Sequence, residues 1–244
     1  MSWSLGGGGC FPTGKHYPAI AHLIRISQEG LADEWDAQTL VADIPWVSLD
    51  TETTGRDATQ DRVIEVGCVL FVGGQVTARH GWLINPKCPI PPDATKVHGI
   101  KDEDVADKPT FGEVAGEICE VLRGHLPLAY NAEFDRGFMR EEFGRVKGSF
   151  DAPALRDDTI WIDPLDWARE LHKEHKSRSL GDVCERLGIS LENAHRATDD
   201  AEAAGHVMVA FLKDGRVPDS YAAFIKEQRR LSRMFEFERA RFFR

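Results

Sequence analysis

The chain has 244 residues, 42% of them hydrophobic and 29% charged, enough for one sizeable core or for a domain of roughly 180 residues plus extensions. Its net charge of −10 argues against a protein that coats nucleic acid through bulk electrostatics. No run approaches the ~20 apolar residues of a membrane span, the start lacks the pattern of a signal peptide, and the five cysteines are scattered without a CxxC pair, so the expectation is a soluble cytoplasmic protein with no membrane association.

Residues 1–16 are rich in Gly and read as a loosely docked start. Within them "GCFPTGKH" (9–16) nearly matches a phosphate loop, but it lacks the final Ser/Thr and a preceding strand, which makes it a chance match. Residues 17–42 predict one or two helices, with Ala19, Ile20, Leu23 and Ile24 at helical spacing, and form an N-terminal extension over 1–42. Strand character follows over 46–52, 63–72 and 76–84, the last two joined by the hairpin signal Gly73-Gly74. A Pro-rich loop over 85–100 leads to a helix at 112–123, a short buried strand at 126–131 and a helix at 132–143. A strand or turn at 157–162 precedes helices at 164–173, 179–187, 198–213 and 218–240. This order predicts an α/β fold, a mixed sheet of three antiparallel strands and then parallel ones, flanked by helices.

The last 19 residues, 226–244, carry seven Lys/Arg against three Glu, a net of +4, which leaves −14 on the other 225. This basic, Phe-bearing end belongs to a helical extension over 214–244. The favoured reading packs its Phe residues against the body; the alternatives are a hold on nucleic acid or a dock for a protein partner. "QRRLSRMF" (228–235) fits a sliding-clamp peptide only with imperfect spacing.

The chemistry begins at "PWVSLDTETTG" (45–55). Asp50 and Glu52 are two apart on a strand, so their side chains share one face only about 7 Å apart along the chain, and something must offset their repulsion. On the helix near Thr198, Ala204, Val207 and Phe211 fall within about 40° of Asp200, which places Asp200 in the apolar stripe. Asp199 lies on the polar side, a first-turn acid beside Thr198 as the expected N-cap. Asp135 sits between Phe138 and Met139 on the inward face of its helix, while Arg136, Arg140 and Glu141 point elsewhere. A lone inward carboxylate would cost several kcal/mol in desolvation, so two of them plus the strand pair point to one shared site. Hard oxygen donors suit Mg²⁺ or Mn²⁺. "HKEH" (172–175) has the spacing of no zinc motif and reads as a solvated helix face.

"LDTETTG" (49–55), "YNAEFDRGFM" (130–139) and "HRATDD" (195–200) resemble the three motifs of the DEDDh 3′–5′ exonucleases, the family of the proofreading epsilon subunit of bacterial DNA polymerase III, ribonuclease T and oligoribonuclease. "KVHGI" (96–100) and "SRSLGDVCERLGI" (177–189) resemble further family segments, so the likeness covers 46–213, and the exonuclease domain is set at 43–213. The resemblance implies a ribonuclease H-like fold. It also implies two divalent ions, Mg²⁺ or Mn²⁺, about 4 Å apart. Asp50 would bridge them, Glu52 and Asp200 would complete one site, Asp135 would support the other, and His195 would be the general base. Thr53, Thr54, Gly55, His98 and Phe138 are the substrate-contact candidates. The expected activity is release of nucleoside monophosphates from the 3′ ends of single strands, DNA favoured. RNA 3′-end processing or oligoribonuclease-like activity is the alternative, and a catalytically silent binding module is less well supported.

Overall fold

The computed structural model describes residues 30–191 and 195–242. The stretch resembling a phosphate loop (9–16) and the part of the expected N-terminal helix before residue 30 lie outside them.

Strands β1 (Trp46–Thr53), β2 (Val63–Val72), β3 (Gln75–Leu83) and β4 (Leu126–Leu128) form one sheet in the order β3-β2-β1-β4. The first three pair antiparallel and β4 pairs parallel to β1, so the predicted mixed sheet is found. Gly73 and Gly74, at φ +57° and +74°, make the hairpin turn that requires positive φ at both central residues. β1 is a central strand covered on both sides. Val47 and Leu49 face helices α3 (Phe111–Leu122) and α4 (Ala132–Arg145), joining Ile118, Met139 and Phe143. Trp46, with Val69 and Phe71 of β2, faces the other core, built by α5 (Pro164–Leu171), α6 (Leu180–Leu187), α7 (Ala197–Phe211) and α8 (Tyr221–Phe242). Because strand side chains alternate, Asp50 and Glu52 continue the Trp46 row toward the end of β1, beneath the start of α7.

Two glycines let α7 lie unusually close to the sheet. Gly67 pairs with Asp50 across β1–β2, and a Cβ there would stand 2.3 Å from the backbone of Ala197 and Thr198. Gly205 of α7 lies under Phe71, whose ring would be 2.3 Å from an added Cβ. The helix is thus pressed onto β2 at two points, two turns of helix apart. On the opposite face Arg62, just before β2, makes a bidentate pair with Glu142 of α4 at 2.8 and 2.9 Å, and Glu142 also accepts the Val63 N–H at 3.1 Å.

Several elements differ from expectation. Residues 30–40 form turns rather than helix, followed by a single 3₁₀ turn, Val41–Asp43. Asp36 accepts the N–H of Gln38 at 2.8 Å, a local bond that competes with helix, and Trp35 packs edge-on against Tyr221 at the start of α8. The Pro-rich loop contains a short helix, α1 (Pro92–His98), opened by its own proline and closed by Gly99 at φ +77°, and α2 (Asp102–Val105) follows. The expected strand at 157–162 contracts to one bridge, Leu128 to Ile162, because Asp163 and Pro164 already begin α5. Helix α7 starts at Ala197, so Arg196 rather than Thr198 is its N-cap.

The first half of α8 belongs to the core. Tyr221, Phe224, Ile225 and Leu231 are buried, and the buried amide of Gln228 bonds the Trp167 indole at 2.8 Å and the Asp163 N–H at 3.1 Å. Phe224 and Phe235 pack on the body, whereas Phe237, farther along, is 67% exposed. No described helix is long and apolar enough to cross a membrane.

The seating of α7 has a direct test. Gly67→Ala should lower stability by about 1–3 kcal/mol, the usual cost of overpacking. Gly116→Ala, exposed on α3 with nothing within 4 Å of the new carbon, should raise it by about 0.4–1 kcal/mol. Urea melts of the two variants read both signs.

Candidate active site

The end of β1 gathers the predicted acids. Carboxylate oxygens of Asp50, Glu52 and Asp200 lie within 4.8 Å of one another. Asp50 and Glu52 arrive from the sheet, and Asp200 from the first turn of α7, which the Gly67 contact sets directly above them. Asp135, 2% exposed, comes from α4 and stands outside that trio. The Thr51 hydroxyl donates to its Oδ1 at 2.8 Å and holds it in place. Its charge is the largest electrostatic influence on Asp50, so the four acids form one electrostatic unit.

All four carboxyls are raised, and mutual repulsion adds to burial at Asp50 and Glu52. Burial, then the charges of Asp135, Glu52 and Asp200, pushes Asp50 well above the usual carboxylate range. Burial and the charges of Asp200 and Glu65 push Glu52 up to about 8. Burial raises Asp135 to about 7 against the opposing Thr51 hydrogen bond. Asp200 is raised by burial, opposed by the His195 N–H that it accepts at 3.1 Å. Oxygen donors so close, and so costly to ionise together, fit a divalent cation of the Mg²⁺ or Mn²⁺ class.

His195 lies in the turn before α7, exposed, with φ +70°. Beside Glu52 opens a cavity of about 400 Å³ lined by Thr53, Gly55, Arg56, Val97, His98 and Phe134, among others. His98 is buried; its Nδ1 accepts the Ile100 N–H at 3.0 Å, which leaves the ring proton on Nε2, where the Thr53 backbone is an acceptor. Burial lowers its pKa and keeps the ring neutral. Thr53 donates to the Gly55 carbonyl at 2.6 Å, and Gly55 leaves room for the Asp61 carboxylate, 2.3 Å from where a Cβ would sit.

Two substrate candidates are placed elsewhere. Thr54 is buried and accepts the Arg62 N–H at 3.0 Å, a loop-closing role away from the cavity. Phe138 is 1% exposed inside the core, and Phe134, one turn earlier, takes the place expected for it at the cavity wall. One acid had not been singled out. Glu65 of β2 is 3% exposed, lies directly across from Glu52 and pairs with Arg196 at 2.8 Å. A Glu inside the otherwise apolar run "VIEVGCVLFV" was the signal that could have found it.

The family model described as "Exonuclease" (RNase T) matches residues 47–208. The chain is similar to DNA polymerase III subunit epsilon of Pasteurella multocida, 36% identical over 75% of this chain and 76% of that protein. It is also similar to the PolC-type DNA polymerase III of Bacillus cereus, 35% identical over 73% of this chain, and spans only 12% of that protein's length. Its fold is like that of exonuclease X in complex with 5′ overhanging duplex DNA (TM-score 0.56, 23% identity, 72% of this chain and 96% of that one). It is likewise similar to the nuclease domain of 3′hExo, a DEDDh family member, bound to rAMP (TM-score 0.59, 17% identity, 72% and 96%).

The raised acids set a pH signature. A carboxyl that is higher in the folded than in the unfolded chain stabilises the fold below its unfolded value, near 4, and that contribution is lost as pH rises through the folded value. With Glu52 at about 8 and Asp135 at about 7, the melting temperature in EDTA should fall steadily between about pH 5 and pH 8. Saturating Mg²⁺ or Mn²⁺ should remove the share of that slope due to the site. The share due to Asp163, a buried acid outside the site raised to about 7, should remain. Thermal melts across the range, with EDTA and with metal, decide it; identical slopes in the two would count against the cluster.

Proposed function

The chain belongs to the RNase T exonuclease family, in its DEDDh branch, and on that footing we propose that it is a metal-dependent 3′–5′ exonuclease that trims single-stranded ends, DNA favoured, to nucleoside monophosphates. The carrying observation is the carboxylate trio within 4.8 Å at the end of β1. The preference for DNA draws on a relative of which this chain covers 76%, a DNA polymerase III subunit. The exonuclease domain is assigned to 43–213, with extensions over 1–42 and 214–244, the latter a candidate contact for a protein partner through the exposed half of α8. The proposed location is the cytoplasm.

In this reading Asp50, Glu52 and Asp200 would hold one divalent ion, and Asp135 would support a second. Bound there, Mg²⁺ or Mn²⁺ would supply a nucleophilic water at neutral pH and stabilise charge on the leaving 3′ oxygen. The side chains do the rest. Thr51 fixes the rotamer of Asp135, and Asp200 keeps the His195 turn beside the cluster through the His195 N–H. His195, exposed beside the acids, accepts the proton of the attacking water; imidazole is suited to this because it titrates near neutrality. The terminal nucleotide enters the cavity of Phe134, Val97 and His98, where Phe134 offers an apolar face for the base or sugar and the neutral His98 ring lines the wall.

The experiment is digestion of 5′-labelled single-stranded DNA and RNA of equal sequence, with Mg²⁺ and with Mn²⁺. A descending ladder that EDTA stops, faster on DNA, is expected. Undiminished cleavage in EDTA would contradict the mechanism, and a faster ladder on RNA would move the substrate to RNA 3′ ends. His195→Ala should lower turnover by about 10²–10⁴ while metal still raises the melting temperature, the usual range for loss of a general base. Near wild-type turnover at saturating metal would remove His195 from the role.

A further inference from the structure

Glu65 has no part in the chemistry above, yet it is buried more deeply than Asp50, Glu52 or Asp200. A carboxylate at that depth needs charged or hydrogen-bonding partners. It finds them at the junction of the His195 turn and α7. Arg196 donates from Nη2 at 2.8 Å and from Nε at 3.3 and 3.4 Å, and the Ala197 N–H donates to Oε2 at 3.3 Å. The arrangement makes good a local deficit. Arg196 is the N-cap of α7, and its carbonyl accepts the N–H groups of Asp199 and Asp200 at 2.9 and 3.0 Å, but it has no side-chain oxygen with which to cap the helix. Glu65 supplies the missing acceptor from the neighbouring strand and places a negative charge at the positive end of the helix.

His195 is the residue immediately before this anchor. Its φ of +70° is a left-handed conformation that is strained for a residue with a Cβ and persists only where the surroundings impose it. On one side its own N–H is held by Asp200, and on the other the next residue is held by Glu65. The Arg196 side chain is 53% exposed and that of Glu65 only 4%, so the pair works as a fixed buried post and a strap drawn down to it from the surface.

We propose that the Glu65–Arg196 ion pair is a brace that fixes the His195 turn beside the acid cluster, making both members positioning residues for the proton transfer. The proposal rests on the assignment of His195 as the base. It distinguishes Arg196 from a cation that meets the substrate directly. A direct contact would act on substrate binding and would act whether or not the imidazole is present.

A double-mutant cycle separates these roles. Turnover of a single-stranded oligonucleotide at saturating metal is measured for wild type, Arg196→Ala, His195→Ala and the double variant. Arg196→Ala should lower kcat by about 10–100-fold with KM changed less than about two-fold, and should cost nothing further in the His195→Ala background. Amide exchange at His195 and Ala197 should quicken by at least about tenfold in Arg196→Ala, more than at the core amides of the sheet, whose change reads any global loss of stability. Glu65→Gln, which keeps the volume of the side chain, should reproduce both effects in weaker form. An equal loss in both backgrounds, a rise in KM at unchanged kcat, or wild-type turnover of Arg196→Ala would overturn the brace. If His195→Ala itself retains full turnover, the base assignment falls, and amide exchange still reads the brace: unaltered exchange at His195 and Ala197 overturns it independently.

Discussion

Four carboxylates that repel one another are held, largely out of water, at the end of one strand, and the surrounding architecture serves to keep them there. The chain cannot relieve the repulsion by letting a side chain swing away. Asp50 and Glu52 are fixed by a strand that pairs antiparallel with β2 through the site and is anchored just before them by parallel pairing of Trp46, Val47 and Ser48 with β4. Asp135 is held by Thr51, and Asp200 by the His195 N–H. The result is a site whose protein parts oppose folding until a cation arrives, which is the expected relation between a preorganised metal site and the stability of its scaffold.

That relation explains features far from the acids. Asp200 reaches the cluster only because α7 lies within backbone contact of β2, and this needs glycine at Gly67, opposite Asp50, and at Gly205, under Phe71. α4 brings Asp135 and Phe134 to the two sides of the site's edge, and the bidentate Arg62–Glu142 pair locks that helix to the start of β2. The first half of α8 packs on α5 through Gln228, Tyr221 and Phe224, so the C-terminal stretch contributes to the second core instead of hanging from it.

Much of this was legible in the sequence because periodicity carries geometry. Alternation put Asp50 and Glu52 on one face, and the 3.6-residue period turned Asp135 and Asp200 inward, where the structure has them. Periodicity also turned Phe138 inward, and the substrate contact that the family resemblance suggested for it is what the structure does not bear out. Phe138 shares the inward face with Asp135, but that face, away from the helix end, is core, and the aromatic that reaches the cavity is Phe134 in the first turn. Glu65 was hidden by its setting, since an acid in a buried strand signals nothing about its partner until Arg196, 131 residues away, is brought across from it. The turns at 30–40 and the short helix Pro92–His98 follow from local side-chain bonds and capping that hydrophobic spacing does not encode.

If the acids oppose the fold when no cation is bound, Asp50→Asn should relieve that opposition. Asparagine preserves the volume of the side chain while removing the charge at the centre of the cluster. Thermal melts of wild type and variant in EDTA at pH 8 should find the variant at least as stable as wild type, and added Mg²⁺ or Mn²⁺ should raise the wild type more than the variant. A variant that melts well below wild type in EDTA would mean that Asp50 holds the fold together, contrary to this account.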